Sequence, residues 1–230
     1  MRKTPVHPQW LVFLQGHRAA AHALQQFSGT VLDIGCGNRW VESELNQHCR
    51  YLGLDYPDTV AMGYQGKPHL FGDGQNLPLQ DASIDAILML DVLEHMPKPA
   101  QAVAEATRVL KPGGVLLIQV PFLYPLHDEP YDFQRWTEHG LTVLMQTQGL
   151  ECKRIVSHGA PIETSAALGA IALAKAVLDA VTNKRPSLLL APLLISAIPI
   201  LNISGWLLAK LMPSSNFMPL SYLILAKKPQ

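Results

Sequence analysis

Asp33, Gly35 and Gly37 follow one another closely at the end of a short apolar run, in the segment VLDIGCGN of residues 31–38. Because glycine has no Cβ, two glycines one residue apart predict a ligand that lies directly on the backbone of a turn. A dinucleotide-binding turn has a third glycine where this chain has Trp40. A carboxylate here is unfavourable beside a pyrophosphate and favourable beside an ammonium or sulfonium cation. We therefore expect a cationic ligand on this turn.

Asp55 ends a second apolar run about 20 residues after Asp33, the interval at which nucleotide-binding βαβ units place an acid on ribose hydroxyls. Taken with the glycine turn, Asp55 is the candidate for that role, although a lone Asp at a strand end also suits ordinary turn chemistry. Tyr56 follows directly. It is a candidate for lying against an adenine, and the alternative is a partly buried surface aromatic.

Three further segments have a recognisable spacing: residues 72–78 read GDGQNLP, residues 93–97 read LEHMP, and residues 108–114 read RVLKPGG before an apolar run. Together with an acid followed by G-x-G, they resemble the class I S-adenosylmethionine-dependent methyltransferases of the small-molecule type. The resemblance covers residues 30–158 and 219–228. It implies S-adenosyl-L-methionine as the cofactor, whose sulfonium suits the acid at Asp33.

The resemblance also implies roles for individual residues. Asp73 would receive the adenine amino group, Gly74 and Gln75 would present backbone near the ring, and Leu90 and Asp91 would border the methionine portion. For His95, acid or base chemistry is one interpretation, and shaping of the loop is the favoured one. The predicted cofactor-binding set is Asp33, Gly35, Cys36, Gly37, Asp55, Tyr56, Asp73, Gly74, Gln75, Leu90 and Asp91.

The long segment of residues 121–137, rich in Pro, His, Asp and Tyr, is expected to face the methyl acceptor. Methyl transfer is a direct displacement, so a base is needed only when the acceptor must lose a proton. His127 is the candidate base, with Asp128 or Asp132 orienting it. The alternative is an ion pair between Asp132 and Arg135 that fixes the loop, with His127 as a bystander. The segment is more loosely similar to class I methyltransferases associated with surface-glycan and lipid pathways.

Apolar periodicity predicts the elements that position these residues. We expect a doubly wound α/β fold with a seven-stranded, mostly parallel, Rossmann-like sheet. In the family this sheet ends in an antiparallel pair, here residues 151–158 and 219–227. The other expected strands are residues 31–34, 51–55, 70–71, 83–90 and 115–120, and the expected helices are residues 8–27, 40–45, 99–110 and 138–148.

Residues 160–215 interrupt the last strand pair and are predicted to form an apolar helical insertion, while 1–159 and 216–230 form the methyltransferase domain. Residues 187–209 contain no charge and are long enough to span a bilayer. Since both flanking strands must return to one sheet, a single crossing is excluded. Pro192 and Pro199 are expected to break the longer helix. Peripheral, monotopic membrane contact is favoured over a re-entrant or crossing hairpin and over a soluble cap or dimer surface.

Composition narrows the classes of protein. The 230 residues include 18 basic and 18 acidic ones, so the formal net charge of zero gives no reason to expect a nucleic-acid partner. The three cysteines have no metal-ligand spacing, so no metal site is predicted, and reduced thiols fit a cytoplasmic protein. The short apolar run near the N-terminus gives no export signal.

These observations predict an enzyme that transfers a methyl group from S-adenosylmethionine to a small-molecule acceptor, lipid-like or lipid-linked, at the cytoplasmic face of a membrane. The alternative is a membrane-anchored protein that binds S-adenosylmethionine or acts as a scaffold without turnover. A nicotinamide-dependent dehydrogenase is a third interpretation, disfavoured by Trp40 and Asp33. The oligomeric state is left open.

Overall fold

Short apolar runs form the strands of one seven-stranded sheet in the computed structural model, which describes residues 4–60 and 66–230. The strands are β1 (Gly29–Ile34), β2 (Cys49–Asp55), β3 (Leu70–Phe71), β4 (Ile84–Leu90), β5 (Leu110–Pro121), β6 (Glu151–His158) and β7 (Ser221–Lys227). Their order across the sheet is β3-β2-β1-β4-β5-β7-β6. The neighbours among β1 to β5 are parallel, so their carboxyl ends share one edge.

Helices follow the strands along the chain. They are α1 (Trp10–Leu24), α2 (Pro99–Val109), α3 (Glu138–Thr147), α4 (Pro161–Thr182) and α5 (Ala191–Leu211), with short 3₁₀ helices at Trp40–Ser43, Pro57–Val60, Leu93–His95 and Pro186–Leu190. The predicted α/β, Rossmann-like sheet is confirmed, and β6 and β7 are neighbours at its edge as expected.

The contacts of the chain divide it into two compact units. The larger consists of residues 19–122, 126–156 and 222–230, and its core is built from buried aliphatic side chains of the strands and of α2 and α3. The smaller consists of residues up to 18, 123–125 and 157–221. The domain boundaries expected from the sequence, 160–215 against the rest, stay a prediction.

In the smaller unit, α4 and α5 lie side by side and approach closely at Gly205, where a Cβ would collide with that of Ala166. α5 runs unbroken through Pro199, so the expectation that Pro192 and Pro199 break it is wrong. Pro192 lies in the first turn, where a missing N–H has no helical acceptor to lose. Pro199 forfeits one backbone hydrogen bond, and packing of α5 against α4, as at Leu201 and Gly205, supports the helix.

β5 also departs from expectation, because it begins at Leu110 and not after the glycines. Residues 111–114, expected to turn, stay in the sheet. Gly113 N–H donates to the Lys228 carbonyl at 3.0 Å, and Lys228 N–H donates to the Gly114 carbonyl at 2.9 Å. These bonds to the C-terminal segment satisfy backbone groups that a turn would expose.

Candidate functional site

A cavity of about 480 Å³ opens at the carboxyl edge of the parallel strands, within the larger unit. Ligands bind at this edge in open α/β sheets. Loops after β1, β2, β3 and β4 line the cavity, together with part of the segment before α3. The lining residues are Ile34, Gly35, Gly37, Leu54, Asp55, Tyr56, Asp58, Thr59, Gly72, Asp73, Gly74, Gln75, Asp91, Val92, His95, Met96, Pro97, Asp128, Tyr131 and Phe133.

The loop after β1 has the close backbone turn that its glycines predicted. Gly35 and Gly37 have φ angles of +73° and +49°, a region that side chains other than glycine rarely adopt. The amide of Gly35 donates to the Leu54 carbonyl at 2.8 Å, which ties the loop to β2. A Cβ at Gly35 would collide with Val92, whereas a Cβ at Gly37 would meet nothing within 4 Å. The loop is therefore packed against Val92 at its first glycine and open at its second.

Asp55 ends β2 and connects it to this loop. Its Oδ2 accepts from the Gly37 amide at 2.8 Å and its Oδ1 from the Tyr56 amide at 2.8 Å. Asp55 is 5% exposed and lines the cavity, as does Tyr56, which is 49% exposed. A carboxylate held by two amides is fixed in place with lone pairs left for a ligand's hydroxyls.

The segment after β3 forms the facing wall. Asp73 Oδ1 accepts from the Gln75 amide at 2.8 Å, which closes a tight turn around Gly74. A Cβ at Gly74 would lie 2.6 Å from Met96 Cε and 2.9 Å from Ile34 Cγ2. A side chain here would require Met96 and Ile34 to move, and Gly74 itself lines the cavity. Asp73, Gly74 and Gln75 thus lie where a flat ring could lie against the chain.

Asp91 follows β4 and has a left-handed backbone, with φ +55°. Its Oδ2 accepts from Gln119 Nε2 at 2.7 Å. Although Asp91 is an exposed residue, the protein around its carboxylate reduces hydration and raises its pKa to about 6, while the Gln119 hydrogen bond opposes the rise. Near neutral pH, Asp91 adds negative charge to the cavity.

Three predicted cofactor residues lie outside the cavity lining. Asp33 is 2% exposed and accepts from the Tyr51 hydroxyl at 2.7 Å, behind the glycine loop. The Cys36 side chain is buried against Gly53, and its burial raises the thiol pKa to about 12. Leu90 packs against an apolar cluster on the sheet. Direct contact of all three side chains with the cofactor stays a prediction.

In the segment before α3, the contacts of His127 and Asp132 fit both interpretations of His127. Its Nδ1 lies 3.1 Å from Asp132 Oδ2, and Asp132 is paired with Arg135 at 2.5 and 2.6 Å. The Arg135 hydrogen bonds lower the pKa of Asp132 to about 2, against the effect of desolvation. Asp132 therefore orients His127 and fixes the loop at once. Asp128 lines the cavity, with φ +50°.

Glu94 is the residue that the sequence reasoning left without a role. It is fully buried, and neither carboxylate oxygen has a hydrogen-bond partner among the described residues. Its Oε1 lies 3.8 Å from His95 Nε2 and 3.9 Å from His127 Nε2. Burial, followed by the charge of Asp91, raises the pKa of Glu94 well above its usual value. The available signal was its position next to His95, just beyond β4.

Comparisons with known proteins agree with this arrangement. Residues 32–118 match the family described as "Methyltransferase domain". A Mycolicibacterium smegmatis protein assigned as an S-adenosylmethionine-dependent methyltransferase is 36% identical over 143 residues, which is 56% of this chain and 56% of that protein. The chain spans about half the length of the curated relatives it matches.

Solved structures show the same fold. A SAM-dependent methyltransferase from Archaeoglobus fulgidus aligns with a TM-score of 0.58 and 16% identity, covering 95% of this chain and 94% of that one. The [4+2]-cyclase SpnF aligns with a TM-score of 0.54 and 17% identity, covering 92% of this chain and 79% of that one. The same fold thus occurs in proteins named for different reactions.

Proposed function

We propose that this chain, whose residues 32–118 form a class I S-adenosylmethionine-dependent methyltransferase domain with S-adenosyl-L-methionine as its cofactor, transfers a methyl group to a small-molecule acceptor. The observation that carries the proposal is the cavity at the carboxyl edge of the sheet, where glycine backbone and fixed carboxylates face one space. The residues fit the cofactor because Gly37 leaves open space beside its backbone at the cavity, where a Cβ would meet nothing within 4 Å, and because Asp55 is held in place by two amides.

The bound cofactor would supply a methyl group activated by a sulfonium. Asp55 would hold hydroxyls, the turn from Asp73 to Gln75 would bind the flat base, and Asp91 would place negative charge near the cation. The protein's remaining task is to align the acceptor and exclude water. Tyr131 and Phe133 suit that task, because they place aromatic surface at the cavity while remaining about half exposed.

The proposed acceptor is amphiphilic, lipid-like or lipid-linked. This finer proposal is supported by the smaller unit, where α4 and the segment Pro186–Leu211 are long and apolar enough to cross a membrane. Most of their apolar surface faces outward; Leu189, Leu193 and Ile200 are 88%, 66% and 67% exposed. Such a surface suits a protein that takes its acceptor from a bilayer.

The cytoplasmic face of a membrane is the proposed location. Cys36, Cys49 and Cys152 are free thiols, as expected in a reducing compartment. Lys184, Arg185 and Lys210 flank the apolar surface and can contact anionic headgroups. We propose peripheral contact through residues 160–215.

The test combines cofactor binding with turnover. Calorimetry with S-adenosylhomocysteine should give a 1:1 complex, and labelled S-adenosylmethionine incubated with an extracted lipid fraction should yield labelled product. Binding without product from lipid or water-soluble fractions would favour the scaffolding alternative. Binding of NAD but not of S-adenosylhomocysteine would contradict the proposal outright.

A further inference from the structure

A second cluster of donor atoms lies beside the cofactor cavity. One carboxylate oxygen of Glu94 and one ring nitrogen each of His95 and His127 all lie within 4.8 Å of one another. The two imidazole rings meet edge to face, with centroids 4.8 Å apart. All three residues belong to the larger unit, and none was predicted from the sequence to bind a metal.

The hydrogen bonds of the two histidines fix which nitrogen faces Glu94. His95 Nδ1 lies 2.9 Å from the Tyr131 carbonyl oxygen, which can only accept, so Nδ1 carries the proton. His127 Nδ1 lies 3.1 Å from Asp132 Oδ2, whose carboxylate is held ionised by Arg135. In the neutral rings, each Nε2 is therefore an unprotonated acceptor, and both are turned toward Glu94.

When Glu94 is ionised, the centre of the cluster therefore holds three hydrogen-bond acceptors, the Glu94 carboxylate and the two Nε2 atoms. Glu94 is fully buried, its two oxygens have no hydrogen-bond partner in the described part of the chain, and its Oε1 lies 3.8 and 3.9 Å from the two Nε2 atoms. A buried polar group without a hydrogen-bond partner destabilises the folded state. A cation between the three donor atoms would remove that destabilisation.

We propose that Glu94, His95 and His127 bind one divalent transition-metal ion through the Glu94 carboxylate and the two Nε2 atoms. Metal–ligand bonds of about 2.1 Å place adjacent ligand atoms about 3.0–3.5 Å apart. The observed separations of 3.8 and 3.9 Å reach that range with small side-chain movements. Two imidazoles with one carboxylate suit Zn²⁺, Mn²⁺ or Fe²⁺, whereas Mg²⁺ and Ca²⁺ prefer oxygen ligands alone.

The surroundings have the outer partners that metal-binding histidines normally have. Their second ring nitrogens bond to a carboxylate or a backbone carbonyl, which holds the ring and strengthens the ligand. Asp132 has this position for His127, and the Tyr131 carbonyl has it for His95. Arg135 in turn holds Asp132. Asp132 was predicted to orient His127. That role is compatible with His127 as a metal ligand as well as with His127 as a base.

One consequence concerns the acceptor, and it rests on the proposed function. His95 lines the cofactor cavity, so an ion in this cluster would border the place of methyl transfer. It would favour an acceptor with a hydroxyl oxygen. That oxygen binds the ion, loses its proton to water, and forms the new O–CH₃ bond as the S–CH₃ bond breaks, with the electron pair remaining on sulfur. His127 Nε2, bound to the ion, is then not the general base.

The test measures metal binding apart from methyl transfer. Chain without a polyhistidine tag is stripped with EDTA, dialysed, and titrated with Mn²⁺, Co²⁺ and Zn²⁺ by calorimetry, with the bound metal counted by mass spectrometry. We expect one ion per chain. Glu94→Gln and His127→Ala should each weaken binding about 100-fold, while His139→Ala, which removes an exposed histidine of α3, should bind as the wild type does.

Wild-type chain that binds none of these ions up to about 1 mM, a free energy near −4 kcal/mol, would overturn the proposal and favour a proton on Glu94. Unchanged affinity in both folded variants would overturn it as well. Circular dichroism verifies folding, and His127→Ala decides the matter should Glu94→Gln not fold. S-adenosylhomocysteine binding, measured without metal, should change little in Glu94→Gln, so loss of the metal site is distinguishable from failure of the proposed function.

Discussion

Asp33 is a buried carboxyl near the end of β1, just before the glycine loop. Its carboxyl accepts a hydrogen bond from the Tyr51 hydroxyl. Burial raises the pKa of Asp33 to about 7, with the Tyr51 bond opposing the rise and the charge of Asp55 adding to it. The protonated form is therefore favoured by folding. A folded-state pKa above the unfolded value means that stability is full at low pH and is lost as the pH rises toward 7.

Asp33→Asn tests this linkage, because the amide keeps an acceptor for Tyr51 but does not titrate. From the shift of 3.8 to about 7, the wild type loses up to about 4 kcal/mol between pH 4 and pH 8 through this group. The stability of the variant relative to wild type should rise by that amount over the same interval. Urea unfolding at both pH values measures it. An equal difference at pH 4 and pH 8 would show that Asp33 does not titrate there.

Asp55→Asn should weaken S-adenosylhomocysteine binding at least about tenfold, because an amide offers one acceptor where the carboxylate offers two charged ones. The Asp55 oxygens also hold the amides of Gly37 and Tyr56, so the loop loses a support. Calorimetry at constant ionic strength measures the loss. Asp179→Asn, in an exposed pair with Lys175, is the matched control and should bind normally. Equal affinities would remove Asp55 from the site.

At this scale, the sequence predicted the residues whose roles are local. Gly35 and Gly37 lie in the loop after β1, and Asp55 is the last residue of β2, so motif spacing was enough to place them. The bond of Tyr51 to Asp33 and the meeting of Glu94 with His127 join residues 18 and 33 positions apart. Such contacts depend on strand register and on the path of a long loop, neither of which a local pattern contains.

Among the elements, α4 and α5 depend on small residues for their close approach. Gly205 leaves no space for a Cβ, which would collide with Ala166. Gly169 lies on the same pair of helices, yet a Cβ there would meet Leu201 Cδ1 at 3.5 Å, an ordinary contact. The two glycines therefore differ in packing while sharing the same helical setting.

Gly205→Ala should destabilise the chain by about 1–3 kcal/mol through overpacking. Gly169→Ala should be neutral or stabilising by up to about 1 kcal/mol, because alanine favours a helix more than glycine does. Thermal unfolding followed by circular dichroism compares the two variants under the same conditions. Equal shifts for both would show that α4 and α5 do not approach at Gly205 as closely as described.

Element positions were largely predictable, and the exceptions have physical causes. Apolar periodicity placed the strands and α3, which begins where Thr137 Oγ1 accepts from the Gly140 amide at 3.1 Å. Pro199 was misread because its tolerance depends on packing against another helix. Residues 111–114 were misread because their bonding partner, Lys228, lies at the far end of the chain.

In the molecule as a whole, apolar surface is unevenly distributed. The formal net charge is zero, yet exposed leucine and isoleucine side chains are concentrated on α5 and the turn before it. Isolated exposed apolar residues are ordinary, whereas a contiguous group indicates a binding surface. We propose that these exposed leucine and isoleucine side chains make the peripheral contact with the membrane.

Flotation on phospholipid vesicles with an anionic fraction tests that contact. Wild-type chain should float, and the double variant Leu193→Glu with Ile200→Glu should float at least about threefold less, because two charges would enter the apolar interface. Val143→Glu, at a 58% exposed position of α3, is the control and should float as the wild type does. Recovery of wild type in the soluble fraction at low salt would remove the membrane from the proposal.

The strand order has a consequence for how the chain is made. β6 joins the sheet only through β7, which lies between β5 and β6. Since β7 is the last strand in the sequence, β6 and the helices α4 and α5 all leave the ribosome before the strand that connects β6 to the rest. Until then β6 is an unpaired edge, and the most apolar helices of the chain are already synthesised. β7 therefore completes the sheet after the other strands and helices have been synthesised.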